Sequence, residues 1–274
     1  MQIQVVEITE KSSIEFVALD HEQPIGKLAA QPLGSGQYRI LEVAVDSHCA
    51  DRETVGLTLL NKLMESRGWK MIFAQTGDRP EDAFVGELLC QAGFELLIER
   101  TFVEREIFGY RIPFADPLVY KPLCEAARET AVSAFAEIMR SSPPRGGSPP
   151  QTNFSDEFDR MMQYAGRERA GNMWKLAFWE DAVAGLVFPQ VYSKNEMPGE
   201  ILFVGVVPRL QGKGFGRILH AKGLECLAGA GVTRYSGSTD IINKAMLRIF
   251  EVNGCLRVGG VRPEFRLMSS ASRA

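Results

Sequence analysis

The chain has 274 residues, 45% of them hydrophobic and 24% charged, with a formal net charge of −3, a length that suits two domains and a make-up typical of soluble globular proteins. That near-neutral balance excludes the strongly basic surface that nucleic acid or an anionic membrane attracts, and no apolar run approaches the roughly 18 residues of a bilayer span. The N-terminus lacks the basic-then-apolar order of a secretion signal, and five scattered cysteines with three histidines form no zinc pattern, so the expectation is a cytoplasmic protein with free thiols and no metal.

Alternation of apolar residues predicts strands at 3–8, 14–19, 25–30 and 40–45. A helix near 53–67, a strand at 71–75, a helix near 81–92 and strands through 106 follow. No helical stretch lies between the first two strands. Pro113 to Pro117 reads as a linker, dividing the chain into domains at 1–112 and 118–274.

The second domain begins with a strand at 119–121 and a helix at 123–140, whose face carries Leu123, Ala127, Ala131, Phe135, Ile138 and Met139. The proline- and glycine-rich run 141–150 excludes regular structure; it reads as a connector or as a flap over a ligand. Ser155 is placed to cap a short helix at 156–164. Strands at 174–179, 182–192 and 200–207 form an antiparallel set. A glycine turn then leads into a helix bearing Ile218, Ala221, Leu224 and Leu227. A strand at 232–238, a helix after Asn243 and a strand at 258–268 that closes this domain's sheet complete the chain.

The glycine turn carries the most chemistry. Gly212, Gly214 and Gly216 stand between a strand ending at Pro208 and a helix start. Glycines let main-chain N–H groups approach an anion, and a helix N-terminus adds unpaired donors and the positive end of its dipole. The dinucleotide fingerprint G-x-G-x-x-G fails because Arg217 stands where its third glycine belongs, and no Lys-Ser or Lys-Thr pair completes a P-loop. Gln211-x-x-Gly214-x-Gly216 resembles the Q/R-x-x-G-x-G/A signature of the GNAT acyltransferases. Asn243-x-x-Met246-x-x-x-Phe250-x-x-x-Gly254 is similar to that family's second motif, N-x-x-A-x-x-x-Y-x-x-x-G-F.

The chain also repeats itself. At an offset of 161, Gly254 falls on Gly93 (254 − 93 = 161), Leu202, Val204 and Val206 on Leu41, Val43 and Val45, and Ile218 and Leu224 on Leu57 and Leu63. A gap-free register through a strand and two helices points to an internal duplication. The copies differ at the turn. Gln211, Gly212, Gly214 and Gly216 fall on Ala50, Asp51, Glu53 and Val55, and Asn243 falls on Asp82. Two carboxylates beside a diphosphate, about 4 Å away, repel it by a few kcal/mol at an intermediate dielectric. The first copy is thus expected to be silent toward CoA, with Asp51 and Glu53 serving a helix N-terminus instead.

The resemblance implies an α/β (α+β) chain of two tandem GNAT-like domains, each a mixed, mostly antiparallel sheet flanked by helices. It implies an N-acetyltransferase with acetyl-CoA as cosubstrate. Gln211, Gly212, Lys213, Gly214, Phe215, Gly216 and Arg217 would hold the pyrophosphate, N–H groups at Val204 and Val206 would polarise the thioester, and Asn243 and Phe250 would contact the pantetheine arm. The family's acidic tyrosine is replaced here by Phe250, which has no hydroxyl; Tyr235, Ser236, Ser238 and water are substitute proton donors. Glu200 is a candidate base, with Glu196 and Asp240 as alternatives. Core packing explains Cys255 better than nucleophilic catalysis. The expected acceptor is a primary amine on a small molecule, and a monomer is favoured over a homodimer. Two rival readings stay open: a CoA-binding sensor or scaffold without turnover, and an enzyme acting on peptide N-termini.

Overall fold

A computed structural model describes residues 3–9, 13–65, 68–142, 153–192 and 197–269. In chain order the elements are β1 (Ile3–Thr9), β2 (Ile14–Asp20), β3 (Gln23–Gly34), β4 (Gln37–Val45), α1 (Arg52–Glu65), β5 (Met71–Gln75), α2 (Pro80–Gln91), β6 (Glu95–Glu106), β7 (Val119–Pro122), α3 (Arg128–Ser141), α4 (Phe154–Ala165), α5 (Arg167–Met173), β8 (Lys175–Trp179), β9 (Ala182–Gln190), β10 (Glu200–Val206), α6 (Phe215–Gly229), β11 (Arg234–Asp240), α7 (Lys244–Val252) and β12 (Leu256–Met268). Two compact units result: residues 1–100 with 259–274, and residues 101–258.

In the first unit β1 to β4 form an antiparallel meander. β4 then runs parallel to β5, joined through α1 as parallel strands require. The next strand in the sheet is β12, antiparallel to β5 with Phe265 opposite Ala74 and Leu267 opposite Ile72. The strand expected to close the second domain therefore pairs with β5 of the first unit. Phe265 and Leu267 are buried with Leu28, Leu59, Leu63, Ile72 and Leu88, and Arg100 pairs with Glu264 at 2.6 Å. This is why the compact units depart from a division at 113–117: residues 259–274 go with the first unit and residues 101–112 with the second. The proline segment is pinned within the second unit. Asp116 accepts from Leu118 N (3.0 Å) and Tyr120 Oη (2.8 Å), and Phe114 lies under the Arg217 guanidinium.

In the second unit β7, β8, β9 and β10 form an antiparallel sheet. α3 and α6 pack against it. The core is aromatic: Trp174 stacks on Phe188 at 4.0 Å, with Phe135, Phe158 and Phe203 around them. Three local expectations change. The helix expected from residue 123 starts at Arg128, because Leu123–Glu125 form a 3₁₀ turn and Ala126 is extended. Asn153, not Ser155, caps α4; its side chain accepts from Ser155 N. The short helix α5 was not anticipated, since seven residues carry too little periodicity to register. Most of the run 141–150 lies outside the described residues.

Candidate functional site

β10 and β11 are parallel neighbours only at one bridge, Gly199 with Tyr235. Gly199 N donates to Arg234 O and Ser236 N donates to Gly199 O. Beyond that point β10 continues beside β9, while β11 lies beside β6. β10 also carries an irregularity against β9 between Ile201 and Phe203, so Leu202 is an extra residue. Such a bulge re-aims the backbone that follows it. After it, Val207 N donates to Ala184 O on β9. N–H directions alternate along a strand, so Val204 and Val206 point theirs away from β9, into the gap.

The gap opens into a cleft of about 640 Å³, walled by Val204 to Val206, the glycine turn, the start of α6, the end of α3 and one face of α7. Gly214 is the N-cap of α6 at φ +83°, and Gly212 is at φ +78°. Glycine holds that left-handed conformation without the strain that most side chains would bring. Gly216 answers to a different demand: a Cβ there would meet Ile249 Cδ1 at 2.8 Å, where α6 and α7 touch. Among the described residues, the N–H groups of Gly212, Lys213 and Gly214 have no acceptor. Those of Phe215, Gly216 and Arg217 open the helix and so have none within it, and no side chain caps them. Among the described residues, the charged groups lining the cleft are Arg217, Lys244 and Arg248, and no acid lines it. Open amides, a helix dipole and three cations make a site for a polyanion.

Most expected cofactor residues line this cleft: Val204, Val206, Gln211, Gly212, Gly214, Phe215, Gly216, Arg217 and Asn243. Gln211 Nε2 donates to Val206 O (3.2 Å), bracing the turn against the strand end. Asn243 caps α7, accepting from Met246 N at 3.1 Å. Two residues are elsewhere. Lys213 turns away to stack over Trp179 at 4.5 Å. Phe250 is 3% exposed and packs its edge on His220 in the core. The cleft also takes Ser141, Ser142, Lys244, Met246 and Arg248. Met246 was visible in the second motif; the serines were not, because only packing brings the end of α3 beside β10.

Of the candidate catalytic groups, Tyr235 must be withdrawn. It is 1% exposed and its hydroxyl lies 3.1 Å from His220 Nε2. Burial raises its pKa well above the usual value, which further disfavours proton release. His220 Nδ1 accepts from Asn253 Nδ2 at 2.9 Å, an amide that also donates to Arg217 O. His220 therefore presents Nε2–H to the tyrosine. Burial, with a smaller contribution from Arg105, lowers the His220 pKa to about 3, so it is a neutral structural link. Ser238 is partly buried on β11 and does not line the cleft.

Glu200 sits at the vertex where β10 and β11 part, and Tyr192 Oη donates to it at 2.6 Å. Tyr164 Oη lies 3.3 Å from Tyr192 Oη, and burial followed by this carboxylate pushes the Tyr192 pKa up. Glu200 and Val204 are four positions apart, about 13 Å of strand, so a proton passing between them needs water. Asp240 is committed to a turn, accepting from Ile242 N. Glu196 lies outside the described residues.

The first unit builds the same turn differently. Asp51 accepts from Thr54 N at 3.1 Å, and Thr54 holds its pKa below the usual carboxylate range. α1 therefore starts at Arg52, while α6 starts at Phe215, which is position 54 at the offset of 161. A helical turn stands where the second copy has its open loop, and a carboxylate already occupies the helix N-terminus.

No protein-family model matches the chain, and no curated protein sequence does. Solved structures do. A GCN5-related N-acetyltransferase from Sphaerobacter thermophilus aligns with a TM-score of 0.63 over 94% of this chain and 81% of that one, at 15% identity. A tandem GNAT protein from the clavulanic acid biosynthesis pathway aligns at 0.57 over 95% and 85%, at 13% identity. The chain has the tandem GNAT fold. A GNAT-family acetyltransferase from Colwellia psychrerythraea extends the likeness, at 0.53 over 94% and 86% with 12% identity. Among the described residues of this GNAT-fold chain, no helix is long and apolar enough to cross a membrane, and no group of three His, Cys, Asp or Glu could hold a metal.

Proposed function

We propose that the second unit binds acetyl-CoA in the cleft between β10 and β11 and passes its acetyl group directly to a primary amine on a small molecule. One observation carries this reading: the unpartnered amides of Gly212 to Gly214, set at a helix N-terminus in a cleft whose charged groups are all basic. The residues present suit the cosubstrate. The turn would hold its diphosphate, Lys244 and Arg248 would face its phosphates, and the apolar wall of Ile138, Val204, Ile249 and Val252 would take its arm. Acetyl-CoA supplies the activated thioester. The N–H groups of Val204 and Val206, aimed into the gap, would polarise its carbonyl. Glu200, positioned by Tyr192, would receive the amine's proton through water.

The reading of a CoA-binding protein without turnover has its own support. With Tyr235 and Phe250 both in the core, no phenol reaches the cleft to protonate a departing thiolate. Ser141 and Ser142 are the nearest hydroxyls, and both donate to Ile138 O. Thiol release from acetyl-CoA across a panel of amines separates the two. Release that depends on the amine supports the transferase; tight CoA binding with no release across the panel supports the sensor.

A further inference from the structure

We propose that the cleft of the first unit binds a small zwitterion of the α-amino acid class, its carboxylate on Arg52 and its ammonium facing Glu81. β4 and β5 pair only from Gln37–Met71 to Ile40–Ala74 and then part, as β10 and β11 do. The opening is a cavity of about 480 Å³ that reaches from Ile40 to Val45 and across to Thr76, Phe84 and Leu89. Duplication has preserved the cleft while Asp51 has closed its helix N-terminus to anions.

Arg52 is the informative residue. Its guanidinium lies 4.2 Å over the Phe84 ring. The ring takes one face of the group and leaves its terminal N–H groups as a fork for a carboxylate. Among the described residues no carboxylate pairs with Arg52, and its Nε is sealed from water with no acceptor. The other arginine of the cleft, Arg79, is already tied to Asp82, which also accepts from Arg79 N. A partly buried, stacked and unpaired guanidinium in a cleft is a group lacking its partner.

The remaining charges select the ligand. Glu81 and Glu42 line the same cavity, and Glu42 also pairs with Lys27 at 3.6 Å. The two acids repel a phosphate or diphosphate, the opposite of the second unit's all-basic lining, and attract a cationic nitrogen. One fork for a carboxylate beside Glu81 for an ammonium describes a molecule of zero net charge. At the offset of 161, Arg52 and Phe84 correspond to Lys213 and Ala245, so the pair is particular to the first copy.

The test is isothermal titration of the full chain with each of the twenty proteinogenic amino acids, with acetate, ethylamine, inorganic phosphate and CoA as comparisons. At least one amino acid should bind saturably at one per chain and more tightly than acetate or ethylamine. Arg52→Gln and Glu81→Gln should each weaken it about ten-fold or more, the loss of one charge-assisted contact, with CoA binding unchanged. Arg52→Lys, which keeps the charge and loses the fork, should also weaken it if Arg52→Gln folds poorly. No saturable amino-acid binding at millimolar concentration would overturn the proposal. So would binding that survives Arg52→Gln and disappears in Glu200→Gln, which would place it in the second unit, or phosphate binding in preference. Failure of CoA to bind would count against the second unit's reading alone.

Discussion

Gly214 holds φ +83° at the N-cap of α6, and its N–H faces the cleft rather than a carbonyl. Gly214→Glu should remove CoA affinity by bringing a carboxylate to the diphosphate. It should also cost about 1–2 kcal/mol of stability, because a side chain is strained in that conformation. Gly214→Asn separates the effects: asparagine tolerates the left-handed region, so it should fold normally and bind CoA more weakly, as read by thermal melting and titration. His220 yields a pH prediction. Its folded pKa is about 3 against an ordinary value of 6.5. The unfolded chain therefore binds the extra proton between those values, and stability is fully present above pH 6.5 and lost as pH falls through that window. Urea unfolding should show a loss of about 2 kcal/mol between pH 7 and 5 from this group, and His220→Gln should flatten the slope. The glycines were legible in the sequence because a turn's backbone demands are local. Tyr235 was misread because which face of β11 meets α6 is a matter of packing.

At the scale of elements, the cradle depends on where a helix begins. α1 starts at Arg52 because Asp51 caps it, and the loop that would offer free amides is wound into its first turn. Glu53→Gly should therefore create no CoA site, since Asp51 still caps the helix; titration of the variant should match the parent. Asp51→Ala should lower the melting temperature of the first unit, because the cap of α1 is lost. β12 shows what a sequence does not reveal. Its alternation announced a strand, but alternation does not name a strand's partner, and the partner, β5, lies nearly 200 residues earlier. Ending the chain at Val258 should expose the β5 edge and strip Phe265 and Leu267 from the first unit's core. Loss of soluble protein, or of cooperative unfolding of that unit, is the expected outcome.

At the scale of the molecule, two copies of one fold carry clefts of opposite character. Among the described residues, one is lined by Arg217, Lys244 and Arg248 without an acid; the other mixes Arg52 and Arg79 with Glu42, Glu81 and Asp82. The duplication was legible because a gap-free offset survives the loss of sequence likeness, and the difference between the two turns was legible in four residues. The charge lining the clefts was not, since Lys244, Arg248, Glu42 and Arg52 converge only through the fold. Titration of the wild-type chain with acetyl-CoA tests the asymmetry most directly. One site per chain, lost in Gly214→Glu and kept in Arg52→Gln, is the predicted result; two sites, or one that survives Gly214→Glu, would contradict it.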